Sequence, residues 1–206
     1  MTQIALPLAW PPDARDGEFI VSPSNAQAAR TLEHWASWPV MTALLVGPPG
    51  SGRSLLARVF GELSGGHVID DAERHAEADL FHAWNRAQQE RRPTVMVAAA
   101  APPEWAIALP DLRSRLAASP LARIGPPDDA LVRALIERGF ERARIDARPD
   151  LVQWLTARVE RSHRAVTQVV DSLAAAALAG HRRLSIPMAR ETLAALPTFT
   201  DRDPLS

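Results

Sequence analysis

Apolar residues follow two rhythms along this chain, and the change between them divides it. Up to about residue 126, short unbroken apolar runs alternate with stretches of helical spacing. The runs 40–46, 67–70 and 94–99 are bounded by Gly, Pro or acids, which predicts buried strands. Between them, residues 24–38 place Ala28, Leu32 and Trp35 on one helical face. Residues 54–63 and 79–91 continue the helical pattern, the first closed by Gly65-Gly66. Strand and helix in alternation predict a parallel α/β layer with helices on its faces. Beyond Pro126-Pro127 the strand rhythm stops. Four helices are expected, over 128–141, 148–159, 163–179 and 186–196, with 183–185 the one segment that could be extended. The expected organisation is a tail over 1–14, an α/β base over 15–127, a small all-helical unit over 128–196 and a C-terminal tail over 197–206.

Composition narrows the classes. The 206 residues are 47% hydrophobic and 23% charged, a globular balance, and the net charge of -1 provides no overall field for nucleic acid. Direct, specific DNA binding is therefore not expected. There is no Cys, which excludes disulfides and thiolate chemistry. The segment before Ala14 is broken by Pro7, Pro11 and Pro12 and has no basic start, so it does not read as a signal peptide. No run is long enough for a membrane span. A soluble cytoplasmic protein is the expectation. Every one of the 23 basic side chains is Arg, so an arginine at any one site partly reflects a bias of the whole chain.

The densest chemistry follows the first strand. Gly47-Pro48-Pro49-Gly50-Ser51-Gly52-Arg53-Ser54, then Leu55 and a helix, reproduces a phosphate-binding loop with Arg53 in the place of lysine. Glycines let backbone N–H groups curl around phosphate oxygens, and a helix N-terminus adds a positive dipole end. Ser54 is a candidate for Mg²⁺. Arginine is bulkier than an ammonium group, so binding of ADP or ATP should survive the exchange better than hydrolysis. Val68-Ile69-Asp70-Asp71 then delivers two carboxylates to the end of a strand: Asp70 to hold Mg²⁺ through water, Asp71 to orient an attacking water. Glu73, Glu77 and Asp79 read as solvated helix charges. His67, His75 and His82 have no metal-ligand spacing.

Taken in order, several segments resemble the AAA+ domain of bacterial replication initiators of the DnaA type, and among them the short Hda-type regulatory inactivators. Residues 17–25, Gly-Glu-Phe-Ile-Val-Ser-Pro-Ser-Asn, are similar to that family's adenine-side motif and imply that Ile20 and Val21 lie near the base. Leu109-Pro110-Asp111-Leu112-Arg113-Ser114-Arg115-Leu116 is similar to its box VII, which makes Arg115 an arginine finger acting in trans. Ser162-His163-Arg164-Ala165 is similar to the sensor 2 segment and makes Arg164 a phosphate contact, and Pro126-Pro127-Asp128 is similar to the junction between base and lid.

The departures matter as much. Hda-type proteins share the arginine at position 53. Residues 98–101 are all alanine where a polar sensor 1 is expected, which leaves no side chain to place a hydrolytic water. An edge strand and helix before Val68 are missing. The pattern after residue 196 gives no sign of the initiators' helix-turn-helix domain.

The tail completes the resemblance. Gln3-Ile4-Ala5-Leu6-Pro7-Leu8 is similar to the peptide with which bacterial proteins dock on the DNA polymerase sliding clamp, Leu6 and Leu8 filling an apolar cleft. The resemblance thus implies a nucleotide-binding regulator of replication initiation. It would dock on the clamp, associate with the nucleoid through it, and promote ATP hydrolysis by DnaA. A homodimer is left open. So are two rival readings: an autonomous ATPase of clamp-loader type, and a non-catalytic adaptor resembling the initiator.

Overall fold

The computed structural model describes residues 19–180 and 183–199; the tail peptide Gln3–Leu8 lies outside them. Among the described residues four parallel strands form one sheet in the order β2-β3-β1-β4, namely β2 (His67–Ile69), β3 (Thr94–Ala98), β1 (Thr42–Val46) and β4 (Leu121–Arg123). β1 and β3 are buried along their whole length because helices cover both faces of the sheet, which explains their unbroken apolar sequence.

Alternation within those runs separates two cores. Ala43 and Leu45 with Val95 and Val97 face α1 (Ala26–Glu33) and α2 (Arg53–Ser64), where Leu32, Leu56, Phe60 and Trp38 complete the packing. Trp38 stacks on Phe60 at 5.7 Å between centroids and donates its indole N–H to the Thr31 carbonyl. Leu44, Val46, Met96 and Ala98 face α3 (Glu77–Glu90) and α4 (Pro110–Ala117), meeting Leu80, Leu112 and Leu116. A third core lies among α5 (Asp129–Arg142), α6 (Pro149–Thr156), α7 (His163–Gly180) and α8 (Ile186–Leu193), with Ile136, Phe140, Leu155 and Val169 at its centre. Gly139 lets α5 approach α7 closely: a Cβ there would lie 2.7 Å from a Val170 methyl.

The expected elements are present with shifted ends, and three details differ. Residues 183–185 are not a strand; Ser185 caps α8, its hydroxyl accepting the Met188 N–H. β4, absent from the expected elements, carries only three residues between Pro120 and Ile124, too few to show a period. The helix expected over 24–38 breaks after Glu33 into a 3₁₀ turn over Trp35–Ser37. β2 ends the sheet on one side with three residues, and a strand that short exposes little unpaired backbone.

Candidate functional site

The loop between β1 and α2 is shaped by two glycines. Gly50 at φ 74° and Gly52 at φ 85° take left-handed conformations that side chains resist. The first N–H groups of α2 have no partner inside the helix, and among the described residues no N-cap side chain supplies one. Ser51 is buried, and its Oγ lacks a hydrogen-bond partner among the described residues. Pro48, Pro49 and Gly50 are exposed at the rim. The arrangement is suited to an anion: unpaired donors, a positive dipole end and one cation converge on it.

Arg53, the first residue of α2, folds back over the loop. Its Nη1 donates to the Gly47 carbonyl at 2.7 Å, and its Nη2 lies 3.7 Å from Asp71 Oδ1. Asp71 also faces Arg74 at 3.6 Å. Asp70 is exposed, its Oδ1 accepting the Asp71 N–H. It lines one hollow with Ser54, Leu55, Arg58, Glu62 and Val68, so the structure brings Ser54 and Asp70 to the same cavity.

Two further segments close on the loop. Phe19 is buried, with a ring carbon 3.2 Å from where a Cβ on Gly52 would stand. Ile20 and Val21 follow it, half-buried; Asn25 fixes them by donating to the Ile20 carbonyl and accepting the Ser22 N–H. From the other side comes the start of α7. The Arg164 N–H nitrogen and His163 Nε2 lie 3.9 Å from the Cβ positions of Gly50 and Gly52 respectively. The Arg164 side chain is exposed, lines a cleft with Gly50, His163 and Thr167, and has no polar partner among the described residues. Burial pushes the His163 imidazole below its ordinary pKa, and its Nδ1 has no partner among the described residues. Asp128 ties the turn at Ser22–Ser24 to the start of α5. Burial raises its pKa, but N–H bonds from Leu131 and Ser24 and the hydroxyls of Ser22 and Ser24 outweigh it and hold the carboxyl low.

Two comparisons find relatives, one for the helical unit and one for most of the chain. Residues 128–193 match the family model described as the Hda lid domain. The fold over 87% of the chain matches domain III of the Thermotoga maritima replication initiation protein DnaA, covering 95% of that chain at 15% identity and a TM-score of 0.73. Residues 128–193 thus resemble the lid of Hda proteins, and the chain shares the fold of DnaA domain III. Replication initiator DnaA bound to AMPPCP and single-stranded DNA matches over 74% of this chain and 62% of its own, at 14% identity and a TM-score of 0.60. The Thermotoga maritima RuvB Holliday junction branch migration motor matches over 83% of this chain and 67% of its own, at 16% identity and a TM-score of 0.63.

Arg115 lies away from the phosphate loop, on α4. Its Cζ lies over the Phe81 ring at 4.7 Å from the centroid and over the Trp84 ring at 4.5 Å, and Nη1 donates to Asn85 Oδ1 at 2.6 Å. Those three residues sit on one face of α3, a seat that no motif in the sequence announced. Two acids read as solvated charges prove to be backbone clamps. Glu73 accepts the Ala99 N–H at 2.9 Å, and Glu77 accepts those of Ala108 and Leu109 at 2.8 and 2.6 Å. Those two N–H bonds, with Arg113 nearby, hold the Glu77 carboxyl below its usual range despite an opposing desolvation. Ala98 is buried at the end of β3, and residues 98–101 bring no polar side chain to the site. Among the described residues no acidic or histidine cluster could hold a metal alone, and no helix is long and apolar enough to cross a membrane.

Proposed function

We propose that this chain is a nucleotide-binding regulator of replication initiation, which promotes ATP hydrolysis by an initiator of the DnaA type. The observation that carries the proposal is the Hda-type lid placed over a phosphate loop, with Arg164 beside Gly50. In this reading ADP or ATP lies between base and lid. Ile20 and Val21 flank the base, residues 47–55 hold the phosphates, and Arg164 contacts them from the lid. Ser54 and Asp70, which share one hollow, hold Mg²⁺ through water. The orphaned Ser51 hydroxyl and uncapped α2 N-terminus support the fit.

Hydrolysis by the chain itself is slow in this reading. Asp71, the candidate for orienting water, is occupied by Arg53 and Arg74, and sensor 1 offers only alanines. The productive arginine is Arg115, presented to the initiator's nucleotide. Aromatic faces grip the flat guanidinium while Asn85 takes an N–H from Nη1, leaving most of its in-plane donors for phosphate oxygens. The tail Gln3–Leu8 would bring the complex to the DNA-loaded sliding clamp, where the initiator is inactivated.

An initiator ATPase assay with DNA-loaded clamp tests this. The intact chain should stimulate hydrolysis by roughly 10³-fold or more, the contribution typical of an arginine finger, and Arg115→Ala should remove that stimulation. Deleting residues 3–8 should remove the dependence on clamp. Absence of stimulation by the intact chain rejects the function; equal stimulation by Arg115→Ala rejects the assignment of Arg115.

A further inference from the structure

Between the phosphate loop and Arg115 runs a short segment, residues 71–77, in which the side chains of Asp71, Glu73 and Glu77 each bond a different part of the base. The contacts start at Arg53, which bridges the Gly47 carbonyl and the Asp71 carboxylate. Asp71 stands at φ 47° and opens the 3₁₀ turn Ala72–Arg74, its carbonyl accepting the Arg74 N–H at 2.8 Å. From that turn Glu73 grips Ala99, the residue just beyond β3. Glu77, at the first position of α3, grips Ala108 and Leu109, and Leu109 is the N-cap of α4. Glu73 and Glu77 thus hold both ends of the 99–109 connection. α3 carries the aromatic seat and α4 carries Arg115 itself.

We propose that Asp71, Glu73 and Glu77 are positioning residues, a carboxylate relay through which phosphate in the loop sets the placement of Arg115. The physical asymmetry lies in the strengths of the bonds. The Arg53–Asp71 pair is loose, at 3.7 Å, and Asp71 is half exposed, so water screens it. A phosphate dianion between the loop N–H groups is a stronger acceptor for the same guanidinium. The glutamate clamps are short, charge-assisted bonds to backbone N–H groups. When Arg53 turns to phosphate, the Asp71 turn relaxes, and the stiffer clamps carry that displacement to residues 99 and 108–109. α3 and the α4 start move together, so Arg115 keeps its seat while the unit shifts. The relay rests on the nucleotide and Arg115 roles proposed above.

The three clamped amides report on it directly by hydrogen exchange. ADP with Mg²⁺ is the probe, its binding measured separately by calorimetry. In the intact chain, bound ADP should change exchange at Ala99, Ala108 and Leu109 by about threefold or more, the scale of one partly exposed ion pair. Asp71→Asn removes the charge yet tolerates the left-handed backbone, so the chain should still fold and bind ADP while the response is lost. Glu77→Ala should make Ala108 and Leu109 exchange fast with or without ADP, leaving the response at Ala99. A full response in Asp71→Asn overturns the relay, as does ADP bound to the intact chain with all three amides unchanged. ADP that does not bind the intact chain overturns the nucleotide reading, and the relay with it.

Discussion

Arg53 and Arg115 are both aimed at phosphate in the function proposed here, yet the two regions hold them by opposite means. Around the phosphate loop the guanidinium is held by its edge, with one nitrogen on a carbonyl and one near a carboxylate. On the α3–α4 side its central carbon lies over the rings of Phe81 and Trp84, with a single hydrogen bond, to Asn85. Edge contacts are the ones a phosphate oxygen would take over. Face contacts are not, because stacking leaves the in-plane N–H groups free. The first arrangement suits a residue that exchanges partners as ligand comes and goes; the second suits one presented in a fixed pose.

The contrast breaks most visibly at Arg115. Lysine keeps the charge but has no planar fork and stacks less well between rings. Arg115→Lys should therefore lose most of the ~10³-fold or greater stimulation expected of the finger in the initiator ATPase assay. Near-full activity in that variant would show that charge alone suffices. The next effect is at the loop backbone. Gly52→Ala forces a side chain into φ 85° and puts its Cβ 3.2 Å from Phe19, whereas Gly65→Ala at φ 65° meets nothing within 4 Å. Each should cost roughly 1–2 kcal/mol of stability from the left-handed conformation. Only Gly52→Ala should also weaken ADP binding, by about tenfold if a further ~1.4 kcal/mol is lost from the bound state. Calorimetry on the two variants separates the losses. Smaller again is Trp84→Leu, which removes one face of the seat and about 0.5–2 kcal/mol of cation–π attraction. Stimulation should fall severalfold with ADP affinity unchanged; a fall in ADP affinity instead would tie the seat to the wrong site.

The two regions also differ in how far they could be read from sequence. The phosphate loop is a local signal, since glycines at fixed offsets between a strand and a helix specify their own geometry, and the loop, β1 and α2 lie where the spacing put them. Arg53's contact with Asp71 joins residues from different strand–helix units and leaves no such trace. The Arg115 seat is less legible still: Phe81, Trp84 and Asn85 read as an ordinary amphipathic helix face, and only packing of α3 against α4 brings Arg115 onto it. Glu73 and Glu77 are illegible for a related reason. A carboxylate that accepts distant backbone N–H groups looks like a solvated one until the loop it clamps is in place. β4 was missed because three residues are too few for a period, and its apolar Ala122 is buried only once β1 lies beside it.

The smallest effect tests the phosphate-loop half through pH. His163 is half-buried at the start of α7 beside Gly52, and it shares a lid cavity with Arg138, Arg142 and Asp171. Burial lowers its pKa from the ordinary 6.5, so near that pH the folded chain binds fewer protons than the unfolded one. Its contribution to stability is therefore fully present above pH 6.5 and declines as pH falls through 6.5 toward the folded value. Asp128 and Glu77 also have depressed pKa values, but their contributions are lost only below their ordinary 3.8 and 4.5. The windows stay apart, and a thermal melt between pH 8 and 5.5 reads the histidine. The melting temperature of the intact chain should drop across that range, and His163→Gln should flatten the drop. Bound ADP should flatten it too, because a polyphosphate beside Gly52 favours the imidazolium and raises the very pKa that burial lowers. An ADP-bound chain as pH-sensitive as the free one would mean that the phosphates do not reach the α7 N-terminus, and the lid would then have to hold nucleotide through Arg164 alone.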